Sequence, residues 1–80
     1  MKELNRDLHW PSGLRPTGLM LGGGGSRWRS AAMHDDKVVQ AIADTPEGAL
    51  RAALEAYAMK LCPPESHATL FAQLRARLVN

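Results

Sequence analysis

Disulfide chemistry is the first thing this chain lacks: its single cysteine, Cys62, has no second thiol in the chain to pair with. One cysteine in 80 residues fits a reducing compartment, and the expected location is the cytoplasm. Aromatic rings are scarce as well, only Trp10, Trp28, Tyr57 and Phe71, so each is valuable to so small a core. No apolar run approaches the roughly 20 residues that cross a bilayer, and the start, Met1-Lys2-Glu3-Leu4-Asn5-Arg6-Asp7, has acids where a secretory signal has an apolar stretch. No membrane partner is expected.

Metal and cofactor signals are missing too. His9, His34, His67 and Cys62 show neither CxxC nor HxxxH spacing, so no metal site and no cofactor are expected. Gly22-Gly23-Gly24-Gly25-Ser26 runs into Arg27 without the Lys-Ser or Lys-Thr of a phosphate-binding loop, and no βαβ pattern surrounds it for a dinucleotide fingerprint. A Cys62–His67 thiolate pair across Pro63-Pro64 and an Asp35–Asp36 acid–base pair are the nearest approaches to a catalytic constellation. A buried thiol and helix capping explain these residues more simply, and no enzyme is expected.

What is present is helical patterning. Thr45-Pro46-Glu47 is an amino-terminal capping sequence, and Leu50, Leu54, Tyr57, Ala58 and Leu61 then recur on one helical face. Pro63 ends this helix by disfavouring the helical conformation at Cys62. Pro64 opens another, with His67, Leu70, Phe71, Leu74 and Leu78 at helical spacing and Arg75 and Arg77 in its last turns. Asp35 and Asp36 followed by Val38, Val39, Ala41 and Ile42 predict a further helix ahead of Thr45. The expected fold is therefore all-α, a small three-helix domain over about 31–43, 46–61 and 64–79.

The front of the chain reads differently. Residues 2–10 carry Leu4 and Leu8 one helical turn apart, enough for a turn or two of helix if they dock. Turn formers dominate residues 11–18, and Leu19-Met20-Leu21 could form one strand without an evident partner. The glycines predict a hinge or tether, with the composition of a Gly4Ser linker of natural or engineered origin. The expected organisation is a flexible or extended segment over residues 1–26 and a helical domain over residues 27–80.

Charge is placed unevenly, net +2 overall. Residues 1–30 hold Lys2, Arg6, Arg15, Arg27 and Arg29 against Glu3 and Asp7, while the remainder is nearly balanced. Arg27-Trp28-Arg29 combines the residue types richest in binding hot spots. The expected function is a non-catalytic protein-binding module, an accessory or inhibitor-type protein engaging a larger bacterial or phage-related partner. Trp10, Arg15, Arg27, Trp28 and Arg29 are its candidate partner-binding residues. The alternative is nucleic-acid binding through the basic front, and a homo-oligomer is also compatible with the composition.

Overall fold

The structure, a computed structural model, describes residues 8–78. The helical turns expected over residues 2–10 fall mostly on residues 1–7, outside the described residues. Three strands, β1 (Gly18–Gly24), β2 (Arg27–His34) and β3 (Lys37–Ala43), precede a helix α1 (Pro46–Leu61), a single 3-10 turn (Pro64–Ser66) and a second helix α2 (His67–Arg77). The all-α, three-helix expectation is thus corrected: this is an α+β fold, a three-stranded antiparallel meander in the order β1-β2-β3 followed by two helices.

The correction falls on residues 31–43, expected to be helical. They are the second half of β2, a two-residue turn and β3, with Met33 opposite Val38 and His34 opposite Lys37. Asp35 makes the turn at φ 55°, a conformation that aspartate tolerates better than most residues. Val38, Val39 and Ile42 are β-branched, stiff in a helix and well suited to a pleated sheet.

The glycines expected to form a tether are the end of β1 and the first hairpin turn. Gly22 lies opposite Arg29, Gly23 opposite Trp28 and Gly24 opposite Arg27, leaving Gly25-Ser26 as a two-residue connection. Gly25, the first central residue, has φ 61° and Ser26 does not have a positive φ, the pattern of a type II′ turn, whose twist matches that of the strands it joins. Gly23 is required for a separate reason. Its φ is 137°, and a Cβ there would sit 2.8 Å from the Cα of Trp28.

One face of the sheet carries Leu19, Trp28, Ser30, Ala32, Val39 and Ala41, and α1 packs across it. Ser30 and Ala32 on the sheet and Ala49 and Ala53 on the helix are all buried, so small side chains on both sides let the layers approach closely. The buried Ser30 hydroxyl donates to the Met20 carbonyl at 2.9 Å, which satisfies it within the sheet.

Helix α1 begins as its sequence requires. Thr45 Oγ1 accepts from the Gly48 N–H at 3.0 Å, Pro46 fills the first turn and Glu47 meets the positive end of the dipole. It ends at Cys62, which is extended ahead of Pro63. Leu50, Leu54, Tyr57 and Ala58 join Leu70 and Leu74 of α2 in the main core. Arg51 donates from Nη1 to the Leu78 carbonyl at 3.3 Å, satisfying one of the carbonyls left open at the end of α2.

Residues 8–17 form a strap over this helical layer. Leu8 is fully buried, Trp10 meets Tyr57 edge to face at 5.3 Å, and Tyr57 Oη donates to the Leu14 carbonyl at 2.6 Å. Gln73 of α2 accepts from the His9 N–H at 2.9 Å and donates from Nε2 to His9 Nδ1 at 3.0 Å. At Thr17 the strap enters the sheet, its N–H donating to the Met33 carbonyl. No helix among the described residues is long and apolar enough to cross a membrane.

Candidate interaction surface

Alternation along the strands sends every second side chain to the sheet face that α1 leaves open. On β1 these are Met20, Gly22 and Gly24; on β2, Arg27, Arg29, Ala31 and Met33; on β3, Val38, Gln40 and Ile42. Three of the larger apolar groups are well exposed, Met20 at 61%, Ile42 at 51% and Val38 at 46%. Lone exposed apolar residues are ordinary, but here Ala31 and Met33 of the central strand link Met20 to Val38, and the apolar groups of this one sheet face make a contiguous patch of the kind that marks interaction sites.

The patch is a trough of about 570 Å³, lined chiefly by Met20, Gly22, Arg29, Ala31, Met33, Val38, Gln40 and Ile42. Its shape follows from the glycines. Gly22 lies beside Arg29 and Gly24 beside Arg27, so the β1 end of the face has no side chains to cover those two arginine stems. Met33 closes the other end, where its methyl would meet any Cβ added at Gly18. Arg27 and Arg29 are exposed, and none of the residues lining the trough is acidic.

The five candidate partner-binding residues are thereby separated. Arg27 and Arg29 share the open face. Trp28 lies between them with its side chain on the opposite face, half-buried, its indole Nε1 donating to the Gly25 carbonyl at 3.0 Å across the hairpin turn. Trp10 is half-buried in the strap, packed on Tyr57 of α1 and absent from the trough lining. Arg15 is an exposed residue of the strap whose carbonyl lies 3.2 Å from His34 Nδ1, at the β2–β3 turn end of the sheet. Met20, Met33, Val38 and Ile42, which dominate the open face, were absent from the expected site because only the strand register places them together.

The residues considered for chemistry occupy different settings. His67 Nε2 lies 2.9 Å from the Cys62 carbonyl, so the ring engages the backbone across the double-proline turn, and it stacks on Phe71 at 5.6 Å. Burial pushes the Cys62 thiol upward, away from the thiolate that nucleophilic chemistry uses. Asp35 and Asp36 form the second hairpin turn, with Asp35 3.7 Å from His34 Nε2. Among the described residues, no three of His, Cys, Asp and Glu come together in a group that could hold a metal ion. Comparison of the chain with protein-family models, with curated proteins and with solved structures finds no match.

Proposed function

We propose that this protein is a non-catalytic protein-binding module, accessory to or inhibitory of a larger partner, and that it docks through the open face of its sheet. The observation that carries this reading is the trough itself, with Met20, Val38 and Ile42 exposed on one face around Ala31, and with Arg29 opposite Ile42 and Arg27 beyond it. Aliphatic centres with arginine at the margin are what protein interfaces bury, and Arg and Met are enriched there over ordinary surface.

The two guanidinium groups also favour a second reading, contact with nucleic acid. Against it stands the chemistry of the face. Single-stranded binding uses aromatic rings as stacking platforms, and Trp28 turns its ring to the other side of the sheet.

The test is capture on immobilised protein, with nuclease and across a salt series, using the parent chain and Ile42→Asp. The expected outcome is a partner that survives nuclease, depends only weakly on salt and is lost with Ile42→Asp while the melting temperature is unchanged. A partner lost to nuclease, or one whose affinity falls steeply with salt, favours the nucleic-acid reading.

A further inference from the structure

We infer that the segment received by the trough is an amphipathic α-helix of the partner, with carboxylates grouped at the end that lies over Arg27 and Arg29. This deepens the docking reading above and rests on it.

Charge supplies the first argument. The open face presents Arg27 and Arg29 near the Gly25-Ser26 turn and no carboxylate among the residues lining the trough. An occupant that desolvates those guanidinium groups must bring their counter-charges, and Arg is suited to hold carboxylates in a bidentate grip. A second copy of this chain stacked trough to trough would bring two more arginines and no acid from the lining residues.

Shape supplies the second argument. Adjacent strands lie about 4.8 Å apart, so β1 and β3 are separated by about 10 Å, the diameter of a helix with its side chains. The sheet already accepts a helix of 16 residues on its other face, where α1 packs on small side chains. On the open side Ala31 on the central strand lies between Met20 and Gln40, with Val38 and Ile42 diagonal to it and Arg29 and Met33 to either side along its own strand, which makes a local dip at the middle of the face. Methionine makes such a surface adaptable to different apolar stripes. The glycines give the arginine end room: nothing lies within 4 Å of a Cβ at Gly22, and its φ is not in the left-handed region. A side chain is therefore sterically allowed at Gly22, and glycine there keeps the trough open.

The experiment uses the full chain, labelled for NMR, and two synthetic amphipathic helical peptides of about 16 residues, the length of α1. Both carry the same leucine stripe, and one has glutamates at one end where the other has lysines. The acidic peptide is expected to bind about tenfold or more tightly than the basic one, because like charges across an interface are strongly disfavoured. It should shift the amides of Met20, Ala31, Met33 and Ile42. Arg27→Glu/Arg29→Glu should reverse the preference between peptides, and Gly22→Leu should abolish binding of either while preserving the fold. Met59→Asp, at an exposed apolar residue on α1, should change nothing.

Equal affinity for the two peptides, or no binding of the acidic one, overturns the inference. So does a concentration-dependent dimer in sedimentation that Ile42→Asp dissociates, since a second copy then covers the face. If the peptides fail while Ile42→Asp still abolishes nuclease-resistant capture, the docking surface stands and only this occupant falls. If Ile42→Asp leaves capture intact, the docking surface falls as well.

Discussion

Tyr57 ties the strap to α1 through two contacts of one side chain. Its ring is fully buried on α1, Trp10 of the strap meets it edge on, and its hydroxyl donates to the Leu14 carbonyl. Tyr57→Phe keeps the ring but leaves that carbonyl without its donor, and we expect a loss of about 1–3 kcal/mol in urea unfolding. Burial, reinforced by the negative charges that Cys62 and Asp35 can carry, pushes the phenol from 10.0 up to about 12. The folded chain therefore holds this proton more tightly than the unfolded chain does. The resulting stabilisation is complete below pH 10 and is lost as pH rises through about 12. The urea midpoint should fall over that window in the parent chain, and Tyr57→Phe should remove this contribution to the fall. Cys62, buried and raised in the same direction, should react with a thiol reagent at neutral pH only as fast as the protein opens.

The elements differ in how openly the sequence declares them. Helix α1 was legible because its cap, its apolar stripe and its terminating proline agree; Leu54→Asp should unfold the protein, read as loss of helical circular dichroism. The strands were not. A half-buried strand announces itself by alternating polar and apolar residues, but β3 has Val39 and Ala41 on the inner face and Val38 and Ile42 on the outer one. With apolar groups on both faces the period of two disappears, and Val38, Val39, Ala41 and Ile42 fit a helical stripe equally well. Thus the side chains that make the open face a candidate site also concealed the strand that carries them. The glycines misled for a related reason, since composition alone does not separate a tether from a strand end and a II′ turn. The two-residue spacings Gly25-Ser26 and Asp35-Asp36 were the available signals. Gly25→Ala places a Cβ at φ 61°; it should cost roughly 1–2 kcal/mol, measurable as a lower denaturation midpoint, whereas Ser26→Ala should be nearly neutral.

At the scale of the molecule, the five residues singled out from the sequence divide by layer, and mutating them should divide the phenotypes accordingly. Trp10→Ala strips the edge contact from Tyr57 and should lower stability by about 1–3 kcal/mol, less than truncation of a fully buried aromatic. Arg29→Glu, on the open face, should leave the melting curve unchanged to about 0.5 kcal/mol while altering capture of the partner. Calorimetry beside capture separates the two behaviours.

The strap has a practical consequence for any such measurement. Leu8 and Leu78, at the two ends of the described chain, belong to one buried cluster in the helical layer, and Gln73 is bonded to His9. A dye, affinity handle or surface anchor attached beside residue 8 or residue 78 therefore starts from the helical side of the sheet, opposite the trough. Both orientations of immobilisation should present the same sheet face to solution, and sensorgrams recorded from amino-terminal and carboxyl-terminal anchoring should superimpose.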